Sequence, residues 1–362
     1  MTPRKVATDF ADVDAQLRAL ERGDGEGEIS FGRGATLHVS SLGKPFFPKA
    51  GVTKGGLMRY YTRVAPALLP EIEGRALVLK RYPDGVGGPM FYQQNAGEHV
   101  PEVVRVATLD SVEQGAKPRI IGGDLPTLLY TVQLGAIEVH PWLSRVDVVD
   151  APDRCLIDLD PGDDVPFADV AALAREVARI AEGCGLNVAL KTSGASGIHI
   201  VLPLPPRTSY EASASLALLL AGATVAMNPD RATVERSVKA RPKGSIYVDA
   251  LQNARGKSMA APYSVRARPT ASVAAPLRAS ELTSRLRIDA FTVETMPARL
   301  TRIGDLWGDA IATRPSARVL ARAMAALQDT SAAPPPRRGS SRRSRAGGTH
   351  AGPAAGRRVR RA

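Results

Sequence analysis

Cysteine is nearly absent: Cys155 and Cys184 are the only two in 362 residues, too few for a disulfide framework or a four-thiolate zinc site. A membrane-crossing helix needs about 20 consecutive apolar residues, and no such run occurs. The longest candidate, residues 212–227, is broken by Ser213, Ser215, Gly222 and Thr224 and stops at Asn228-Pro229, so it reads as a buried core helix. No charged-then-apolar leader follows Met1, and a reducing cytoplasm is the expected compartment. No period of 20 to 50 residues repeats, and no Ser/Gly linker divides the body. With 44% hydrophobic and 23% charged residues, the chain is a globular one, either a single two-lobed unit or two domains.

Positive charge is concentrated at the C-terminal end. Residues 331–362 hold nine arginines and no acid, which leaves the first 330 residues with 39 basic against 36 acidic side chains, a net of +3. The formal +12 is thus a property of the tail. Rich in Pro, Gly, Ser, Ala and Arg, that tail cannot bury enough surface to offset its ordering entropy and is expected to be disordered. It would attract polyphosphates without reading sequence, or serve merely as a solubilising segment.

Val13, Leu17 and Leu20 mark one helical face over residues 12–22, and a second helix over 57–69, entered through Thr53, is expected to end near Pro70. Residues 35–41 between them are strand-like. The second half alternates: strand 155–159, helix 167–182 closed by Gly183 and Gly185, strands 188–191 and 199–202, the leucine-rich helix, then strand 245–248. Short strands interleaved with helices indicate α/β or α+β layers.

Within Cys155-Leu156-Ile157-Asp158-Leu159-Asp160-Pro161 two carboxylates stand two residues apart at the end of an apolar strand, and so face the same way. Two like charges side by side call for a cation, although Asp-Pro-Gly-Asp-Asp is also ordinary turn chemistry. Ile246-Tyr247-Val248-Asp249 delivers a third carboxylate from another strand. Three carboxylates on adjacent strands could hold two divalent ions for an in-line phosphoryl displacement. Between them, Lys191-Thr192-Ser193-Gly194-Ala195-Ser196-Gly197-Ile198-His199 is a small-residue loop whose amides can approach a phosphate. It lacks the Gly-Lys-Ser/Thr ending of a P-loop and no helix follows it. A lone histidine such as His199 is by default a satisfied core residue.

These stretches, with residues 52–96 (VTKGGLMRYY to FYQQNA), Leu-Gly-Ala-Ile-Glu-Val-His-Pro-Trp and Ser245 to Pro269, resemble the polymerase domain of bacterial DNA ligase D, in the archaeo-eukaryotic primase superfamily. The resemblance implies an α+β fold: a primase-like catalytic core, with an RRM-like antiparallel sheet and flanking helices, plus an N-terminal α/β lobe. It divides the chain into an N-terminal helix and lead-in (1–34), a two-lobed primase-polymerase domain (35–307), a C-terminal helix (308–330) and the tail (331–362). It makes Asp158, Asp160 and Asp249 catalytic metal ligands and His140 an active-site histidine. Ser193, His199, Gln252 and Arg266 become nucleotide contacts, Lys44 and Lys54 a pair that holds a DNA 5′-phosphate, and Lys80, Arg81, Phe91 and Tyr92 a template-binding stretch. Without the resemblance Lys44 and Lys54 read as solvated side chains and Phe91 as core.

The implied activity is metal-dependent, template-directed nucleotide addition at 3′ ends during double-strand-break end joining. Two divalent cations are implied, manganese favoured over magnesium, with NTP or dNTP as substrate and ribonucleotides preferred. Implied partners are DNA ends with a 5′-phosphate, Ku and a separately encoded DNA ligase, in the cytoplasm at the nucleoid and at no membrane. A primase starting chains de novo and a non-catalytic DNA-end-binding adaptor are the rival readings. Ser196 stands where the family usually has a lysine, Ser41 and Gly43 replace its usual asparagine and aspartate, and Arg241-Pro242-Lys243-Gly244 is one residue longer than its common form. That leaves Arg241 and Lys243 as alternative basic groups. A Lys-x-Asp-Gly ligase motif is absent, so the expected form is a stand-alone polymerase domain.

Overall fold

In the computed structural model of the chain, residues 8–111 and 115–332 are described; most of the expected tail, 333–362, lies outside them. The N-terminal lobe begins with helix α1 (Phe10–Arg22), capped by the Asp9 carboxylate. Two small hairpins follow, β1 (Gly27–Ser30) with β2 (Thr36–Val39) and β3 (Pro45–Phe47) with β4 (Val52–Thr53). Helix α2 (Lys54–Ile72) is capped by Thr53 and packs against α1. It runs through Pro66 and Pro70 and ends at Ile72, near Pro70 as expected. A proline forfeits one intrahelical bond, and here the helix is held by burial of Val64, Leu68 and Ile72.

The lobe is completed by β5 (Leu77–Arg81), β6 (Phe91–Gln93), the hairpin β7 (Val106–Ser111) and β8 (Gly115–Ile120), helix α3 (Leu125–Gln133) and β9 (Ala136–Pro141). Strands β6, β5 and β9 form one antiparallel sheet in that order.

The second lobe is built on β10 (Arg154–Pro161), helix α4 (Phe167–Gly183), β11 (Ala189–Thr192), β12 (Ile198–Pro203), helix α5 (Tyr210–Met227), β13 (Ala232–Thr233), β14 (Ile246–Asp249) and β15 (Pro276–Leu277). Its sheet has the order β13-β14-β10-β12-β11-β15 and is antiparallel apart from the β13–β14 pair. The layers are therefore α+β. Helix α4 ends as a Schellman motif: Leu186 N–H donates to Ala181 O, Gly185 N–H to Glu182 O, and Gly185 takes φ +79°.

Odd-numbered residues of β10 face α4 and α5, and the Cys155 thiol reaches Ser213 O on α5. Even-numbered ones face a cleft toward the first lobe. Helix α5 is long and apolar enough to cross a bilayer by length and composition, yet Leu216, Ala217, Leu220 and Ala221 are buried against β10 and α4.

Helix α6 (Thr295–Ile303) precedes the segment 308–330, in which one helix was expected and which holds the end of α7 (Leu306–Ala312) and most of α8 (Ala317–Ala332). Helix α7 is anchored by the buried Trp307, whose indole N–H donates to Glu71 at 2.8 Å. Glu71 also pairs with the buried Arg154, which ties the end of α2 to the start of β10.

Candidate active site

The two lobes meet at a cleft of about 520 Å³ whose lining includes Asp158, His199, His140, Gln252, Arg266 and Trp142. Its floor is fixed by strand register. Asp158 stands opposite Asp249 on β14 and opposite His199 on β12, and His199 stands opposite Lys191 on β11. Four polar side chains thus form one row across four adjacent strands, with Asp160 two residues along on the same face.

Each carboxylate is turned to a donor of its own. Asp158 Oδ1 is 3.5 Å from His199 Nε2, Asp160 Oδ2 3.4 Å from Arg241 Nη1, and Asp249 accepts from Leu251 N–H at 2.8 Å and Gln252 Nε2 at 3.0 Å. Among the described residues no three His, Cys, Asp or Glu side chains close into a metal cage. The donor chemistry nevertheless fits a divalent cation: an oxygen-rich set in which burial, then the charges of Asp160 and Asp249, push the Asp158 carboxyl up to about 7. A cation between them would relieve that repulsion.

Ser193 and His199 flank the small-residue loop. The Ser193 hydroxyl accepts from the amides of Ala195, Ser196 and Gly197 at 3.0–3.2 Å, so the loop curls around it. Glycine is required twice: Gly194 has φ +72°, and a Cβ at Gly197 would lie 2.0 Å from Leu159 O.

Three residues beside this site went unassigned from sequence. Lys191, fully buried, has Nζ 2.7 Å from His199 Nδ1. Because His199 Nε2 faces a carboxylate, Nε2 carries the proton and Nδ1 accepts from Lys191. Glu138 on β9 is 2% exposed and gathers Lys80 Nζ (3.2 Å), His140 Nε2 (2.9 Å), Arg266 Nε (2.9 Å) and the Ala267 amide (3.1 Å). The His140 hydrogen bond and the Arg266, His140 and Lys80 charges outweigh burial and hold its carboxyl far below the usual range. Arg266 also donates to Ser193 O, clasping the phosphate-loop sheet to the first lobe. The third, Arg119, is a buried cation in the cleft wall. The motifs quoted above contain Lys191 and Glu138, but only tertiary contacts reveal what they touch.

Of the two basic alternatives, Arg241 reaches the site, lying over the Tyr247 ring at 4.2 Å as well as beside Asp160; Lys243 is exposed. Asn253 is buried and serves the backbone, bonding Leu156 N–H and C=O.

The residues expected to contact DNA lie on the first lobe. Lys54 N–H donates to Lys44 O, Lys44 Nζ pairs with Asp84 at 2.8 Å, and the buried Lys54 Nζ donates to Ser40 O at 3.0 Å. Burial, helped by the Lys44 charge, lowers the Lys54 ammonium to about 8. Phe91 is 44% and Tyr92 60% exposed on β6, so Phe91 is a surface ring and not core. Arg81 lies 4.9 Å over it and is held by Leu134 O and Gln93.

A family model described as the LigD primase-polymerase domain matches residues 53–307. The multifunctional non-homologous end joining protein LigD of Pseudomonas aeruginosa is 30% identical over 298 residues, 81% of this chain and 35% of that protein. The bifunctional LigD of Bacillus subtilis is 32% identical over 269 residues, 74% of this chain and 43% of that protein. This chain therefore spans less than half the length of these relatives. Among solved structures, the polymerase domain of Mycobacterium tuberculosis ligase D in complex with DNA superposes with a TM-score of 0.71 at 30% identity, over 77% of this chain and 99% of that one. Family model, relatives and fold agree: the chain belongs to the LigD primase-polymerase domain family of nucleotidyltransferases.

Proposed function

We propose that this chain adds nucleotides, ribonucleotides in preference, to 3′ ends of template-paired DNA during double-strand-break end joining. The observation that carries the reading is the register row that sets Asp158 opposite Asp249, with Asp160 on the same face. Asp158, Asp160 and Asp249 would hold two divalent ions, manganese favoured over magnesium. When bound, such ions activate the attacking hydroxyl and stabilise the leaving phosphate oxygen.

The remaining steps belong to the chain's own groups. His199, its Nε2–H facing Asp158, borders the triphosphate path, and Arg266, fixed by Glu138 and Ser193 O, supplies positive charge there. The Ser193 loop presents its backbone to the phosphates, Gln252 steadies Asp249, and His140 is oriented by Glu138 on the cleft wall. Phe91 and Tyr92 offer faces for template bases, with Lys80 and Arg81 beneath. Lys44 and Lys54 receive the 5′-phosphate of a gapped or broken end. Ku and a separately encoded ligase are the partners such an end would need. Concentrated negative charge would only weaken a non-catalytic DNA-binding adaptor, which favours the enzymatic reading.

The test is extension of a labelled, 5′-phosphorylated gapped duplex with each nucleotide set and each metal. Extension with ribonucleotides and manganese, lost in Asp158→Ala, is expected. Failure with every combination would overturn the proposal.

A further inference from the structure

Arg119 on β8 is fully buried, yet it lines the same cleft as Asp158 and His199. Its Nη1 donates to Gln94, to the backbone oxygen at 3.2 Å and the side-chain oxygen at 3.1 Å, and its guanidinium lies 5.0 Å over the Trp142 ring. Among the described residues its Nε and Nη2 have no hydrogen-bond partner. A buried cation with unused donors is strongly destabilising, and a well-packed apolar side chain of the same volume is often better tolerated. Its retention is explained by a ligand that brings the missing acceptors.

The free edge of a guanidinium, Nε with one Nη, is the planar fork that takes two oxygens of one phosphate. Arg255, Lys257 and Arg266 line the cleft too, although Arg255 is paired with Asp150 at 3.0 Å and Arg266 with Glu138. An anion entering the cleft therefore meets excess positive charge on this wall. Gln94 is exposed and its side chain holds only Nη1, so it can turn away while the Nε–Nη2 edge keeps no protein acceptor.

We propose that Arg119, held by Gln94 at Nη1, is a second phosphate-binding subsite of the cleft, apart from the loop at Ser193. The inference rests on the nucleotidyltransferase reading, and its ligand is a phosphate group of either the nucleotide or a DNA strand.

The experiment compares wild type, Arg119→Met, Arg119→Lys and Gln94→Ala in thermal melting, in calorimetric binding of a ribonucleoside triphosphate, and in binding of a gapped DNA duplex. Arg119→Met is expected to melt no lower than wild type while binding one ligand about ten-fold more weakly. Loss confined to the triphosphate identifies the nucleotide as the source. Loss confined to DNA, with the log–log salt slope flattened by about 0.9, identifies a strand phosphate.

Arg119→Lys, which keeps the charge but not the fork, should recover only part of the affinity, and Gln94→Ala should bind no more weakly than wild type. A purely structural Arg119 predicts the opposite pattern, a lower melting temperature with both affinities within about two-fold of wild type, and that result would overturn the subsite. Should Arg119→Met not fold, Arg119→Lys and Gln94→Ala decide: full affinity in the first or weaker binding in the second sinks it. If wild type itself binds neither ligand, the nucleotidyltransferase reading fails first.

Discussion

The cleft has two unlike sides. On the second lobe the polar groups sit mid-sheet, on strands whose backbone bonds fix Asp158, Asp249, His199 and Lys191 in one row. On the first lobe the aromatic and basic groups sit on a short strand and around a hairpin: Phe91 and Tyr92 project into solvent, and Lys44 leans on an exposed Asp84. The groups proposed to do chemistry are placed by the backbone, whereas those proposed to meet DNA are held largely by side-chain contacts that can adapt. The contrast predicts large, all-or-none effects on one side and graded effects on the other.

The largest effect is expected from the row. Asp158→Ala or Asp249→Ala removes charge stabilisation of several kcal/mol and should lower nucleotide addition on the order of a thousand-fold or more, while DNA binding stays equal or tightens. Retained extension would break the contrast at its strong end.

Next comes the joint between the sides. Glu138→Ala strands Arg266, His140 and Lys80 around an empty carboxylate site, and loss of a buried ion-pair partner destabilises by about 3 kcal/mol. A drop in melting temperature together with a raised KM for nucleotide should follow, with Glu138→Asp recovering part of both. An unchanged KM would mean that Arg266 needs no clasp.

On the graded side, the Lys44→Ala/Lys54→Ala double variant should lose the preference for a 5′-phosphorylated gap by about ten-fold, since each charge-assisted hydrogen bond contributes roughly 1.5–3 kcal/mol before screening. Binding of unphosphorylated ends should barely move. Equal loss for both ends would show that the lysines act only as general charge.

The smallest effect is its pH dependence. Lys54 sits near 8 instead of its usual value, so its charge is present at pH 7 and is lost as pH rises through 8; phosphate binding favours the charged form. Preference for the phosphorylated end should therefore fall by a few-fold from pH 7 to 9 in wild type, and stay flat over that range in Lys54→Ala. Comparing affinities at the two pH values checks the sign.

Legibility from sequence followed the same division. Asp158 and Asp160 were readable because a period of two on an apolar strand puts them on one face, and Asp249 ended a similar strand. That Asp249 would stand directly opposite Asp158 was not readable, because register between strands some ninety residues apart is a tertiary fact. Helix α2 ended near Pro70 as read, and it carries Pro66 inside because burial outweighs the missing proline N–H. Phe91 would have passed for core, since an aromatic between Met90 and Tyr92 reads as an apolar run whichever surface it faces. Glu138 and Arg119 left no local signal: each is defined by partners far along the chain, at Arg266 for one and at the Trp142 ring for the other. The choice between Arg241 and Lys243 likewise needed the fold.

The register row carries a further consequence. Distance between neighbouring strands, about 4.8 Å, is dictated by peptide geometry and not by which apolar residues flank the aspartates. A spacing set in this way tolerates extensive replacement of Leu156, Ile157, Leu159 or Val248 by other residues suited to strands, so long as pairing holds. The site behaves as a gauge cut into the backbone, and a lineage can rewrite most of the surrounding letters without recalibrating it. Chains that share only about a third of their residues can on this basis keep their reactive groups at one common separation.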